Sequence, residues 1–308
     1  MSLIVALAAL TLGALQDPVV QEPAALPPPP VPSAVGQLDD IVVEGTLESR
    51  VRAFVDEIVA PPKGRFLARW HDRLCPGVVN LDREAAQAVA DRIGDLAASL
   101  DIDVGRPGCD PNVVVIFTTD APGLATAMVE RKRRIFDHPQ LGAFNRGDAA
   151  LEGFMTSDAP VRWWHLSMPV DPLTGLRTVR LGEDLQEREA VAGDGRLSVS
   201  VVDVLYKAII IVDVDRLGAT NFSQVADYIA MVTLAQIEPE ADIAGQPTIL
   251  NVFRQPDVAP GLTEWDRSYL DSLYASISRR RNPGSRTSEV IGLMVRDQRQ
   301  DPEPADQP

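Results

Sequence analysis

The sequence predicts an α+β fold, a mixed sheet with helices packed against it. Three observations lead there. The runs "NVVVIFT" (112–118) and "SVVDVLYKAIIIVDVD" (200–215) are rich in β-branched residues and do not alternate polar with apolar, so each reads as a strand with little water-facing surface. Several other stretches repeat apolar residues at helical spacing. The chain is also long and apolar enough for a sizeable core, with 308 residues and 45% hydrophobic content. Strands mixed with helices in this way build layered α+β domains.

In chain order, "MSLIVALAALTLGALQDPVVQEP" opens with an uncharged apolar run from Leu3 to Leu15. That length is short for a membrane-spanning helix and suits the apolar core of a secretory signal, although no Lys or Arg precedes it. Residues 1–15 are therefore expected to be a signal peptide and 16–37 a Pro-rich linker, with "LPPPPVP" favouring an extended, polyproline-like spacer. A single globular domain is expected over 38–294, followed by a polar, disordered tail at 295–308.

Within that domain "LESRVRAFVDEIV" places Val51, Phe54, Val55, Ile58 and Val59 on one helical face. "GRFLARW" reads as a strand leading to Cys75. "LDREAAQAVADRIGDLAASLDI" is a helix capped by Asp82 or Asn80, and "GLATAMVERKRRIFD" a helix with a basic second half. "VRWWHLSMPVD" and "LRTVRLG" read as strands paired across the turn "DPLTG". The long run at 200–215 leads through "RLGATN" into "NFSQVADYIAMVTLAQI", a helix capped by Thr220 or Asn221. A final helix, "LTEWDRSYLDSLYASISRR", opens on a Thr263/Asp266 capping box.

Cys75 and Cys109 are the only cysteines. Two thiols are too few for a structural zinc site, and neither has a neighbouring His or Lys to stabilise a thiolate. They read as a structural disulfide closing the loops on either side of one helix, a bond that persists in an oxidising compartment. With the signal segment, this places the chain in the periplasm or outside the cell. The net charge of -15 disfavours nucleic acid and anionic lipid as main partners. No later apolar run reaches transmembrane length.

The stretch from "LYKAIIIVDV" through "NFSQVADYIAMVTLAQI" and "ILNVF" to "LTEWDRSYLDSLY", about residues 200–280, resembles zinc-dependent metallopeptidases of the zincin type. It is also similar to uncharacterised exported alphaproteobacterial proteins. In zincins the first helix carries H-E-x-x-H, two imidazoles on one face and an acid beside them. The resemblance aligns Ala226 and Ala230 with the histidines, Asp227 with the general-base glutamate and Gln236 with a third ligand. An alanine methyl has no lone pair, so the resemblance implies a zincin-like scaffold without metal or other cofactor. His71, His138 and His165 lie in separate segments and lack ligand spacing. No P-loop, nucleophile elbow or dinucleotide fingerprint is present. Asp213 and Asp215 would share one side of a strand end, but read more simply as turn residues. The basic patches 130–136 and 278–286 read as helix C-termini. In Trp163–Trp164, one ring is expected to face inward and one outward.

These readings converge on an exported, non-catalytic scaffold or binding module for an unknown protein or peptide of the cell envelope, a pseudoenzyme. The alternatives are a hydrolase rebuilt around Asp227, Gln236 and His165, and a purely structural envelope protein.

Overall fold

Strand β5 (Val202–Asp213) organises the molecule. In the computed structural model, β4 (Val161–Val170) runs antiparallel along one edge of β5, from Val161 opposite Val212 to Val170 opposite Val202. The other edge is shared by two parallel strands, β3 (Val113–Thr118) against Ala208–Asp213 and the short β1 (Arg69–Trp70) against Val204–Leu205. β2 (Pro76–Val79) pairs with β3. The result is a five-stranded mixed sheet, in keeping with an α+β fold. The structure describes residues 39–137, 143–171, 176–178, 201–257, 259–276 and 284–300; of residues 39–46 it describes the backbone only. The described residues from Val42 onward form one compact unit.

Helices cover both faces of the sheet. On one lie α1 (Asp39–Ile58), α2 (Arg83–Ser99), α5 (Phe222–Leu234), α6 (Glu264–Ala275) and α7 (Gly284–Gln300), sharing a core with Val113, Val115, Trp163, Leu205 and Ile210. On the other, α3 (Ala121–Phe136) and α4 (Asp148–Thr156) bury Trp164, Leu166, Ile209 and Ile211. Successive strand residues thus feed opposite cores. This overturns the expectation of one outward indole: Trp163 and Trp164 are both buried, 6% and 3% exposed, because β4 is covered on both sides. Each indole N–H donates to a backbone carbonyl, Ile237 at 3.1 Å and Phe136 at 2.9 Å.

Local signals act where the sequence places them. Asp82 caps α2 through Ala85 N–H, Asn221 and Gln224 form a reciprocal capping box on α5, and Thr263 with Asp266 does so on α6. Elsewhere the structure differs. Of "GRFLARW" only Arg69–Trp70 joins the sheet, since Phe66 N–H is taken by the Asp203 carboxylate (3.0 Å) and Ala68 N–H by Gln236 Oε1 (2.7 Å). Val59 lies past the end of α1 and bridges to Ile237. β2, α4 and α7 are elements the sequence reading missed. The main partner of β4 is β5, not the segment after the turn, although Arg177 does bridge back to Val170. Residues 295–300, expected in the tail, continue α7, because Val290, Ile291, Met294 and Val295 keep its apolar face on the core. The signal segment, the linker, His138, residues 179–182, residues 278–283 and residues 301–308 lie outside the described residues. None of the described helices is long and apolar enough to cross a membrane.

Cys75 and Cys109 form the disulfide, with Cα atoms 6.2 Å apart and a sequence separation of 34. It joins the start of β2 to the loop before β3. Closing a loop of this length restricts the unfolded chain. The double variant Cys75→Ala/Cys109→Ala is expected to lose about 3–4 kcal/mol, read from its urea midpoint; an unchanged midpoint would contradict this role.

Candidate functional site

The positions that correspond to metal ligands are built into the interior. Ala226 and Ala230 are 4% and 0% exposed and belong to the main core, and a side chain with no exposed surface cannot face a ligand. Asp227, also buried, is committed twice. Its Oδ1 pairs with Arg92 of α2, and its Oδ2 accepts Leu262 N–H at 2.7 Å. A Cβ on Gly261 would sit 2.6 Å from that Oδ2, so the loop needs glycine there. Gln236 is equally occupied: its side chain accepts Ala68 N–H and its carbonyl accepts Ala60 N–H at 3.0 Å. These residues do not fit a zinc ion. Alanine offers no donor atom, and the two polar groups are spent on backbone and arginine. Among the described residues no three His, Cys, Asp or Glu side chains cluster as metal ligands would.

The other singled-out residues are scattered. His71 is exposed. Asp213 is buried at the end of β5, accepting Ala121 N–H at 3.3 Å and pairing with Arg216, while Asp215 sits exposed in the following 3₁₀ turn. The two acids therefore do not act as a pair. Arg133 of the first basic patch reaches Asp148. Arg286 of the second is buried and donates to the Leu67 carbonyl at 2.7 Å, with burial lowering its pKa to about 10.

His71 borders a surface depression with Arg69 and Asp271, whereas His165 belongs to a walled site at the sheet edge. It lies on β4 and lines a groove of about 150 Å³ whose floor is Val161–His165. One wall is α4, with Ala149, Ala150 and Gly153; the other is Ile237–Glu240, just beyond α5. The second wall is anchored to the end of α1 by Glu238 N–H donating to the Ile58 carbonyl at 2.7 Å. The first is anchored by Arg162, whose guanidinium crosses from β4 to the carbonyls of Phe154, Met155 and Ser157 at the C-terminus of α4. Cationic donors suit that end of a helix. Arg146 and Glu238 form an ion pair across the groove.

The floor of this groove is a strand edge. Asp213 N–H donates to the Pro160 carbonyl (2.8 Å), which fixes the phase of the β4–β5 ladder. Directly opposed antiparallel pairs alternate between bonded and non-bonded, so Arg162 and Trp164 turn their backbone groups toward β5. Val161, Trp163 and His165 turn theirs outward. Two further bonds agree: Ala208 N–H, opposite His165, points away from β4 to the Asn112 carbonyl (3.0 Å), and Ser167, two residues on, bonds outward to Phe144. From Val161 to His165 the outer edge has no strand neighbour among the described residues. Val161 is itself 1% exposed, so the groups that can meet a guest are the four backbone donors and acceptors of Trp163 and His165.

No family model, curated protein or solved structure matches this chain.

Burial pushes the His165 imidazole down to about 4, with a backbone hydrogen bond to Val232 opposing and the Arg146 charge adding to the shift. Its folded pKa lies below the ordinary 6.5, so the unfolded chain takes up more protons between the two values. Stability is expected to fall as pH drops from about 6.5 toward 4, and His165→Gln to flatten that part of a melting-temperature profile. Asp227→Ala should cost about 1–3 kcal/mol by stranding Leu262 N–H and Arg92. Asp227→Asn should cost less, since it keeps an acceptor. Equal melting temperatures for wild type and Asp227→Ala would contradict the packing described.

Proposed function

We propose that this chain is a non-catalytic binding module that holds an extended peptide segment by strand addition along the outer edge of β4. One observation carries the reading: Trp163 and His165 turn their backbone donors and acceptors toward a walled groove rather than to a neighbouring strand. Unpaired backbone groups in a poorly hydrated place are costly, and an added strand satisfies them in register. Alternate side chains of the guest would then face α4 on one side and Ile237–Glu240 on the other.

An exported, envelope-located scaffold is part of the same proposal. Its support is the disulfide, which suits an oxidising compartment. Zincin-like ancestry is supported only by the order strand, helix, "ILNVF", helix, carried here by β5, α5, the turn at Ile249–Asn251 and α6. Binding is assigned to the β4 groove and not to α5, because Ala226 and Ala230 are core residues.

Gly153 supplies the test. It lines the groove from within α4, and a Cβ there would meet nothing within 4 Å. Gly153→Leu should fill the groove while stabilising the helix by about 0.5–1 kcal/mol through lower chain entropy. Linear peptides selected on the wild-type protein from a random library are expected to lose binding to Gly153→Leu, whose melting temperature stays equal or rises. No enrichment, or enriched peptides that ignore the substitution, would contradict the proposal.

A further inference from the structure

We infer that the guest of the β4 groove is a polar segment, with a side-chain hydrogen-bond donor placed against His165 and an acceptor against Arg162; this rests on the strand-addition reading above. Charge alone does not select it. The lining holds two arginines, Arg146 and Arg162, and two glutamates, Glu238 and Glu240, with Arg146 paired to Glu238. What the lining leaves open is hydrogen bonding. His165 is half-buried, yet its Nε2 is shielded from water and has no partner. The other ring nitrogen donates to the Val232 carbonyl, so in the neutral ring Nε2 is an acceptor. Arg162 is buried. Its two terminal nitrogens reach the carbonyls of Phe154, Met155 and Ser157, while its Nε–H, equally shielded, has no partner.

The two atoms belong to opposite walls. Arg162 reaches toward α4 and His165 toward α5, as strand residues three apart must. Side chains of a paired strand stand on the same face as the residues opposite them. A guest therefore meets His165 with one side chain and Arg162 with another, three positions away. Buried polar groups left unpaired are costly, so a guest that pairs them is favoured over one that covers them with methyl groups. The small side-chain shift that admits such a guest is common at interfaces. Ser, Thr, Asn and Gln serve at either place, since each both donates and accepts. A carboxylate at the first place or an ammonium at the second does not.

Peptides selected on the full wild-type chain from a random linear library supply the probes. Each is resynthesised with one polar side chain at a time made apolar at nearly constant shape, Thr to Val, Ser to Ala, Asn to Leu or Gln to Met, and its Kd is read by fluorescence anisotropy. Two sensitive positions are expected, three residues apart, each change weakening binding about tenfold. On His165→Phe, which keeps a flat ring without an acceptor, the first change should have no effect and the second should still weaken binding. On His165→Gln, which keeps an acceptor, both should still matter. Melting temperatures confirm that the variants are folded, and the peptide series on wild type decides the inference if one is not. Apolar residues at both places, or changes without effect, overturn the inference while leaving strand addition in place. A first position as sensitive on His165→Phe as on wild type overturns the role given to His165. Sensitive positions two or four residues apart would lie against one wall, and overturn it too. If no peptide is enriched, strand addition falls and this inference falls with it.

Discussion

Every layer of this protein depends on β5 being bonded along both edges and buried on both faces. With β4 on one side and β3 and β1 sharing the other, no backbone group in its centre is left to water. Its residues from Ala208 to Val212 alternate between two cores, one under α1, α2, α5, α6 and α7, the other under α3 and α4. A strand placed this way has no use for polar side chains, which explains the run "AIIIV" at its centre. The arrangement also forces β4 outermost. Whatever the chain does with the far edge of β4 is a consequence of giving β5 two full partners.

Covering that outer strand with helices creates the groove. α4 needs its last carbonyls satisfied, and Arg162 reaches them from β4, so the helix is held close to the strand edge. On the opposite side Gln236 bridges Ala60 and Ala68, which fixes the segment leaving α5. Both contacts are structural in themselves, yet together they set the walls on either side of Val161–His165. Ala149, Ala150 and Gly153 keep the near wall low. Asp227 is the counterpart within the core: paired with Arg92 and Leu262 N–H, it ties α5 to α2 and to the loop before α6, and has nothing left for chemistry.

Much of the fold was legible in the sequence because its signals are local. The capping residues Asp82, Asn221 and Thr263, the helical repeat of α2 and the β-branched run of β5 each act through neighbours a few residues away. The disulfide was legible because two cysteines leave one pairing. What escaped depends on distant partners. β2 reads as a turn beside Cys75 until β3 lies against it. The strand character of 64–68 is lost because Asp203 and Gln236, more than 130 residues away, take its amides. The groove was the least legible feature. His165 could be singled out, but an open strand edge is defined by what does not pair with it. A signal did exist in the spacing of Ala149, Ala150 and Gly153, small residues on a short helix before a strand, yet it acquires meaning only once α4 is seen beside β4.

The account stands on the outer edge of β4 being free to accept a strand, and residue-resolved amide hydrogen exchange addresses that directly. In the protein alone, the amides of Arg162 and Trp164, bonded to β5, should be strongly protected, and those of Trp163 and His165 should exchange faster, an alternation with a period of two. On saturation with a groove-binding peptide the fast pair should slow to match its neighbours. Uniform protection across Arg162–His165 in the protein alone would mean the edge is already occupied, and the reading of this groove as a binding site would be wrong.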